Sequence, residues 1–333
     1  MTPPALPVPV AGTAPRRAVI DVGTNSVKLL VADLAGAAVN VVVEQSEQTR
    51  LGRGFYRTHH LSPAAIAHTA QAVEAFRRQA EQRGAGTVRV IATSAARDAE
   101  NAAELLAAVE KASGLRVEII TGDQEAEWAF LGINTDPRLA DRPVLVVEIG
   151  GGSTQIVVGA SARLAFRRSF PLGTVRLQEQ HAPSDPPTAA ERNACFAGID
   201  RFLADTVAPV LQPALSALAS GSAVCVGTGG TASILGLMEL GTAEFDRARL
   251  DGLELTGARV RQQCEQLWSL PLAARRRVPG LPPERADVIL MGVAIYAAVL
   301  DRFGFDRLRI SLRGVRYGAL LAAPGAGATA ESS

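Results

Sequence analysis

The feature that most restricts the fold of this chain is a short motif that it contains twice. The first copy, "IDVGTNSVKLLV", spans residues 20–31, and the second, "VEIGGGSTQIVV", spans residues 147–158. In both copies apolar and β-branched residues flank a glycine turn, a pattern that predicts two strands joined by that turn. The aligned positions keep an acid, a glycine, a serine and a longer polar residue: Asp21 with Glu148, Gly23 with Gly150, Ser26 with Ser153, and Lys28 with Gln155.

The patterns around each copy predict the same order of elements in both halves. Strand-like runs at residues 17–21, 26–33 and 39–47 indicate an antiparallel meander, after which helix and strand patterns alternate. The second copy begins three more strand-like runs, followed by helices and by "SAVCVGTGGTASILGL", a strand, glycine turn and helix. Two α/β halves of one plan predict two similar domains joined near residues 120–140. The repeated turns join strand to strand, which excludes Rossmann and P-loop turns for these copies.

The length of 333 residues also favours two domains over one. We predict a first domain over residues 16–124 and a second over residues 125–322, and we leave open whether the last helix packs back on the first domain. The Pro-rich stretch 1–15 and the Gly- and Ala-rich stretch 323–333 are predicted to be disordered tails.

Composition limits the partners and the compartment. The net charge of +1 gives no general attraction to nucleic acid or membrane, so neither is an expected partner and any anion site must be local. The 3 cysteines are scattered, which argues against a disulfide or zinc framework and for a reducing, cytoplasmic location. Homodimers are common enough among soluble proteins for a homodimer to be considered.

Three glycine turns have the chemistry of an anion site. "GTNS", "GGGST" and "GTGGTAS" bring backbone N–H groups and hydroxyls together, as phosphate sites do. A single turn of this kind could serve hairpin geometry alone, but three in one chain favour phosphate binding. A nucleotide-binding oxidoreductase stays an alternative, because "GTGGTA" satisfies G-x-G-x-x-A after a strand. The candidate phosphate ligands are Gly23, Thr24, Asn25, Ser26, Gly150, Gly151, Gly152, Ser153, Thr154, Gly229 and Thr231.

Three acids are candidates for metal binding or catalysis. Asp21 and Glu148, if they face each other across a cleft, supply the carboxylates that Mg²⁺ prefers beside water and phosphate oxygens. Alternatively, each acid caps its own turn. Glu125 lies in the first turn of a helix that Thr121 and Gln124 begin with capping-box spacing. It flanks the apolar stripe and could point into a cleft, although an acid there also suits the helix dipole.

A cation near the first repeat is a further candidate. "VRVIATSAARDAENAAELLAAVEKASG" predicts a strand, a Ser/Thr cap and one long helix that ends at Gly114. Arg97 then lies in the first turn, where a cation opposes the helix dipole. A bound anion would account for it. A salt bridge with Asp98 or Glu100 is the alternative.

Taken in order, the motifs resemble those of the exopolyphosphatase and guanosine pentaphosphate phosphohydrolase family, within the actin-like ATPase and sugar kinase superfamily. The resemblance runs from about residue 18 to residue 321. It is carried by "AVIDVGTNSVKLLV", "VIATSAARDAEN", "IITGDQEAEWAFLGI", "LVVEIGGGSTQIVVG", "SFPLGTVRL", "VGTGGTAS", "RADVILMGVAI" and "SLRGVRYGALL".

This resemblance implies two ribonuclease-H-like domains with the active site in the cleft between them. It also implies Mg²⁺-dependent, alternatively Mn²⁺-dependent, hydrolysis of the terminal phosphate of inorganic polyphosphate, or of pppGpp to ppGpp. Glu125 matches the family's general base and Arg97 a substrate-contacting arginine. Glu148 lies where the family usually has a metal-linked Asp, and Gln155 where it usually has Glu. Together with Asp21, these two residues form the expected metal site.

The sequence also departs from the family's pattern. Gln124 and Gln155 stand where the family usually has acids, and Tyr317 replaces an acid common after the final Arg. Losing negative charge near a cation site predicts weaker Mg²⁺ binding. It also keeps a non-catalytic phosphate-binding sensor as an alternative. The chain lacks the long helical C-terminal extension of the family's larger members and resembles the short form.

Overall fold

The computed structural model describes residues 14–218 and 223–322. Both predicted tails lie outside these ranges, apart from residues 14 and 15. The described residues form two mixed β-sheets with helices packed on them, which confirms the predicted α/β class. No helix within these ranges combines the length and the apolar character needed to cross a membrane.

The first sheet contains strands from the first half of the chain. They are β1 (Arg16–Val22), β2 (Val27–Ala35), β3 (Ala38–Glu47), β4 (Thr87–Ala92) and β5 (Val117–Ile119). Their order across the sheet is β3-β2-β1-β4-β5. The first three strands pair antiparallel, as the predicted meander requires, whereas β1–β4 and β4–β5 pair parallel. The first glycine turn therefore follows the central strand of the sheet.

The second sheet repeats this plan. It contains β6 (Val144–Ile149), β7 (Thr154–Ala160), β8 (Arg163–Phe170), β9 (Val224–Thr228), β10 (Glu254–Thr256) and β11 (Arg307–Ile310). The order is β10-β11-β9-β6-β7-β8, so β6 corresponds to β1 and β9 to β4. Strands β6, β7 and β8 pair antiparallel, and β6–β9 and β9–β11 pair parallel. The duplication seen in the motif therefore extends to the fold.

Helices connect the strands in both halves. In the first half they are α1 (Phe55–Thr58), α2 (Pro63–Gln82), α3 (Ser94–Asp98), α4 (Ala102–Ser113) and α5 (Gly122–Ile133). The second half has α6 (Thr174–His181), α7 (Ala189–Phe202), α8 (Ala208–Ala217), α9 (Gly229–Leu240), α10 (Arg247–Leu250), α11 (Gly257–Trp268), α12 (Leu272–Arg275), α13 (Ile289–Phe303) and α14 (Val315–Leu321). A π-helical segment, Leu203–Val207, joins α7 to α8, and a short 3-10 helix, Pro283–Arg285, precedes α13.

The last helix packs against the first sheet. Tyr317 of α14 belongs to one buried cluster with Trp128 of α5 and with Val19 and Leu30 of the first sheet. The neighbouring Arg316 donates to the Leu29 carbonyl over 3.0 Å. Helix α14 thus follows the second half of the chain but packs on the first half of the molecule. The predicted domain boundaries themselves stay a prediction.

The prediction of a single long helix that ends at Gly114 is wrong. Helix α3 ends after one turn, Ala99 has extended backbone angles (φ −82°, ψ 133°), and α4 begins three residues later. The physical reason is a tertiary contact, because the Asn101 side chain accepts from the Leu61 N–H (2.8 Å) and donates to its carbonyl (3.0 Å). Arg97 therefore lies in the last turn of α3 and not in the first turn of a long helix. Gly114 does end α4, with a left-handed φ of 68°.

Candidate functional site

The two repeated turns have the same backbone geometry. The Gly23 N–H donates to the Ser26 carbonyl over 3.0 Å, and the Gly150 N–H donates to the Ser153 carbonyl over 2.9 Å. A Cβ at either glycine would lie 3.0 Å from that carbonyl oxygen, so a side chain would crowd both turns. Each turn is a tight connection that leaves its outer N–H groups and hydroxyls available to an anion.

Both turns, from different sheets, line one narrow cleft of about 60 Å³. The third turn lines it as well, because β9 pairs with β6 and the two strands end side by side. The cleft brings together all the predicted site residues except Arg97 and Thr154. They are Asp21, Gly23, Thr24, Asn25, Ser26, Glu125, Glu148, Gly150, Gly151, Gly152, Ser153, Gln155, Gly229 and Thr231.

The two exceptions have identifiable roles elsewhere. Thr154 is fully buried, and its hydroxyl donates to the Leu172 carbonyl over 2.5 Å, which ties β7 to the segment after β8. Arg97 does not line the cleft; its Nη1 donates to the Ile120 carbonyl over 2.9 Å and to Glu125 Oε2 over 3.4 Å. The salt bridge with Asp98 that the sequence left open is present at 3.8 Å. Arg97 is therefore a neighbour of Glu125 and reaches the cleft only through it.

Glu125 is held at the cleft wall by the start of α5. The predicted capping box is present: the Gln124 N–H donates to the Thr121 hydroxyl (3.1 Å), and the Thr121 N–H to the Gln124 side chain (3.3 Å). Glu125 follows directly and is only 7% exposed. Burial raises the pKa of its carboxyl to about 8, although Arg97 opposes the rise. A carboxyl group with such a pKa loses its proton in the mildly alkaline range, and its deprotonated form is a stronger base than an ordinary carboxylate.

The expected metal site contains two buried acids. Asp21 and Glu148 are 5% and 8% exposed, and burial raises the pKa of both carboxyls while the Lys28 ammonium opposes the rise. Glu148 accepts the Val315 N–H over 3.3 Å, and Oδ1 of Asp21 is buried without a hydrogen-bond partner. An unpaired, buried carboxylate oxygen is costly unless a cation or donor joins it.

Gln155 adds a second unpaired acceptor. Its amide nitrogen donates to the hydroxyls of Ser153 and Ser169, both over 3.0 Å, and its Oε1 is buried without a partner. Over the described ranges, no group of three or more His, Cys, Asp or Glu residues could hold a metal ion. The available ligands are two carboxylates and one amide oxygen, a hard-oxygen set that suits Mg²⁺ when water and phosphate oxygens complete its shell.

Two cations that line the cleft were missed by the sequence reasoning. Lys28 is the cross-strand partner of Asp21 in the first hairpin, and burial lowers the pKa of its ammonium while Asp21 opposes the fall. Cross-strand partners share one face of a sheet, a rule that could have found Lys28 beside Asp21. Arg285 reaches the Ser26 hydroxyl over 3.2 Å from the segment before α13. No spacing in the sequence connects it with the turns.

Two sheets of one plan with glycine turns converging on a cleft define a two-domain protein of the actin-like ATPase fold. A model of the Ppx/GppA phosphatase family matches residues 30–323. The chain therefore belongs to the Ppx/GppA phosphatase family.

Individual relatives agree with this assignment. The chain is 33% identical to the protein named exopolyphosphatase 2 of Mycobacterium tuberculosis, over 93% of this chain and 99% of the relative. The solved Ppx/GppA structure from Aquifex aeolicus is 30% identical and covers 92% of this chain and 96% of its own, with a TM-score of 0.74. An exopolyphosphatase from Cytophaga hutchinsonii, 22% identical with a TM-score of 0.81 over 92% and 96% of the chains, supports the fold alone.

Proposed function

We propose that this chain is an exopolyphosphatase, which hydrolyses the terminal phosphate of inorganic polyphosphate. The observation that carries the proposal is that both repeated turns and Glu125 line one cleft. A polyanion with no other functional group needs N–H donors, hydroxyls and cations, which this cleft supplies. The name of the Mycobacterium tuberculosis relative supports the substrate.

In this proposal the two turns bind the terminal phosphate from opposite sides. The N–H groups and hydroxyls around Ser26 and Ser153 donate to its oxygens, and Lys28 offsets its charge. Asp21, Glu148 and Gln155 would hold Mg²⁺ or Mn²⁺, which when bound supplies charge neutralisation at the phosphoryl oxygens.

Glu125 is the proposed general base. Its carboxylate orients a water molecule and accepts its proton as the water oxygen attacks phosphorus in line with the leaving phosphate oxygen. Arg97 restrains the carboxylate through the contact over 3.4 Å and favours its charged form. This side chain therefore acts by orienting Glu125.

One observation favours pppGpp as a second candidate substrate. A cavity of about 330 Å³ adjoins the cleft and shares Lys28 and Arg285 with it. Its wall includes Phe245, an aromatic residue that is 48% exposed, beside the side chains of Gln45 and Gln48. Stacking on an aromatic ring is an interaction that a nucleobase uses and a phosphate chain does not. Side-chain amides can both donate to and accept from the edge of a base, whereas a phosphate chain can only accept from them.

The test compares phosphate release from long-chain polyphosphate and pppGpp with Mg²⁺, with ATP as a third substrate, by the wild-type protein and by Glu125→Gln. The proposal is supported if the wild-type protein releases phosphate from polyphosphate and the Glu125→Gln variant does not. If phosphate is released faster from pppGpp than from polyphosphate, pppGpp becomes the proposed substrate. Tight binding of polyphosphate with no release by the wild type would instead indicate a phosphate-binding sensor.

A further inference from the structure

Helix α6 is attached directly to the second glycine turn. The Val175 and Arg176 N–H groups donate to the Gly151 carbonyl over 2.8 Å and 3.1 Å. A Cβ at Gly173 would lie 2.4 Å from the carbonyl carbon of Gly152, so only a glycine lets the start of α6 approach the turn this closely. The side chains of α6 therefore keep a fixed position relative to the second turn.

The Arg176 side chain reaches from α6 to both halves of the molecule. Its Nε donates to the Gly152 carbonyl of the second turn over 2.9 Å. Its Nη2 donates to Asp98 Oδ2 of α3 over 3.3 Å, and its guanidinium carbon lies 4.2 Å from the centre of the Tyr56 ring in α1. A guanidinium group is attracted to the face of an aromatic ring while its N–H groups stay available for hydrogen bonds. Arg176 therefore joins the second turn to two helices of the first half.

Glu179, one turn further along α6, holds the main chain of α1. Its carboxylate accepts the Gly54 N–H over 2.5 Å and the Tyr56 N–H over 3.1 Å. The first N–H groups of a helix have no acceptor within the helix, so this carboxylate satisfies two of them. Helix α6 thus holds Tyr56 both by its ring and by its backbone.

The segment that carries Tyr56 lies against both turns. A Cβ at Gly152 would be 2.0 Å from Tyr56 Oη, so the tip of the ring abuts the second turn. The same segment is tied to the first turn, because the Gly52 N–H donates to the Thr24 carbonyl over 2.7 Å. Thr24 itself meets the second turn, since a Cβ at Gly151 would lie 2.8 Å from the Thr24 Cβ. The two turns therefore touch at the place where α6 grips the first half.

These contacts are distinct from the covalent connections between the two halves. The chain passes from the first sheet to the second through α5 and returns through the segment between β11 and α14. Neither Arg176 nor Tyr56 is among the described residues that line the cleft. Both side chains can therefore act on a bound phosphate only through the turns that they hold.

We propose that Arg176 is a positioning residue, which together with Tyr56 and Glu179 forms a clamp that sets the separation of the two phosphate-binding turns. This inference rests on the proposed function, because a terminal phosphate bound from both sides requires the two turns at one distance. If the turns move apart, donors on one side lose their contact with the phosphate oxygens, and the attacking water is no longer aligned with phosphorus.

The first test measures the distance between the two halves. Spin labels at Gln71→Cys in α2 and Gln266→Cys in α11, both exposed positions, report it by pulsed electron–electron double resonance. The three native cysteines are buried and should resist labelling. In a Glu125→Gln background without ligand, Arg176→Met is expected to broaden the distance distribution or to shift it to longer distances. Tripolyphosphate with Mg²⁺ should narrow it again, because the ligand binds both turns.

The second test compares substrates and side chains. Arg176→Met should lower kcat/KM for polyphosphate by roughly 10- to 100-fold, since misplacing reacting groups by about 1 Å can cost about 10²-fold. In the Glu125→Gln background it should weaken orthophosphate and tripolyphosphate binding by the same factor, because both ligands use the turns. Tyr56→Phe keeps the aromatic ring and should retain activity, whereas Tyr56→Leu removes the ring and should behave like Arg176→Met.

The control for charge is Arg201→Met, which removes an exposed arginine of α7. Thermal melting checks that each variant folds, and Tyr56→Leu carries the same test if Arg176→Met does not. An unchanged distance distribution, with or without a loss of binding, would overturn the clamp while leaving the proposed function intact. A changed distribution with wild-type kcat/KM would overturn the positioning role. If the wild-type protein neither binds nor hydrolyses tripolyphosphate, the proposed function itself fails, and this inference with it.

Discussion

Arg97 Nη1 lies 3.4 Å from Glu125 Oε2, so the buried carboxyl at the cleft wall is paired with a cation carried by α3. The Glu125 carboxyl is also close enough to Asp21 and Glu148 for their charges to raise its pKa further. The charges of Arg97, Asp21 and Glu148 therefore help to set the pH at which the Glu125 carboxyl loses its proton.

The activity of the wild-type protein should rise with pH. A general base must be deprotonated, and burial raises the pKa of Glu125 to about 8, so kcat/KM should increase through pH 8 and level off above it. Because Arg97 lowers this pKa, Arg97→Met should move the midpoint to higher pH. Rate profiles over pH 6–10 for both proteins check this expectation. If Arg97→Met leaves the midpoint of the pH profile unchanged, the pairing of Arg97 with Glu125 is contradicted.

Removing the carboxylate should abolish most turnover. Glu125→Gln keeps the shape of the side chain and is expected to lower kcat by roughly 10²–10⁴-fold, the usual contribution of a general base. Binding of tripolyphosphate should persist, because the turns remain. Glu127→Gln, the same change two residues on in α5, serves as the control. Full phosphate release by Glu125→Gln would refute the base assignment.

Restoring an acid at position 155 should strengthen metal binding. Gln155→Glu adds a negative charge where Oε1 of Gln155 already lacks a partner, and the Ser153 and Ser169 hydroxyls can rotate to donate to it. The Mg²⁺ concentration for half-maximal activity should fall, and Mn²⁺ titrated by calorimetry should bind more tightly. Gln266→Glu, an exposed site, controls for net charge. A collapse of activity would show that Gln155 does not belong to the metal site.

The second turn should not tolerate a methyl group. A Cβ at Gly152 would lie 2.0 Å from Tyr56 Oη and 2.4 Å from Ser94 Oγ, so Gly152→Ala must displace the turn from the first half of the molecule. We expect a loss of about 1–3 kcal/mol in the free energy of unfolding and a large fall in phosphate release. Urea denaturation measures the first and a phosphate assay the second. Gly86→Ala, where the nearest atom is 3.7 Å from the new Cβ, should change neither.

The sequence predicted most of the architecture because its signals are local. The alternation of apolar residues and the glycines of the turns specify strands and connections, so the meander at residues 17–47 was confirmed. The capping box at Thr121 and the helix end at Gly114 were confirmed for the same reason. The break between α3 and α4 was missed, because Asn101 is held there by Leu61, a contact between residues 40 positions apart.

The site divides in the same way. Asp21 and Glu148 reach the cleft because they lie near the ends of β1 and β6, and the glycines reach it because the turns follow these strands directly. Thr154 does not, since its hydroxyl is turned to the Leu172 carbonyl. Arg285 was not predicted, because its approach to Ser26 joins segments 259 positions apart and depends on how the two halves meet.

The two repeated hairpins share a main-chain hydrogen bond in their turns but differ in the side chains that face each other across their strands. Asp21 has an ammonium group across the strand, at Lys28, whereas Glu148 has the neutral amide of Gln155. A chimera with the first hairpin grafted in place of the second would keep the bend but introduce a positive charge where an acceptor oxygen now stands. The two hairpins therefore bend the main chain in the same way but present different charges, an acid opposite a cation in the first and an acid opposite a neutral amide in the second.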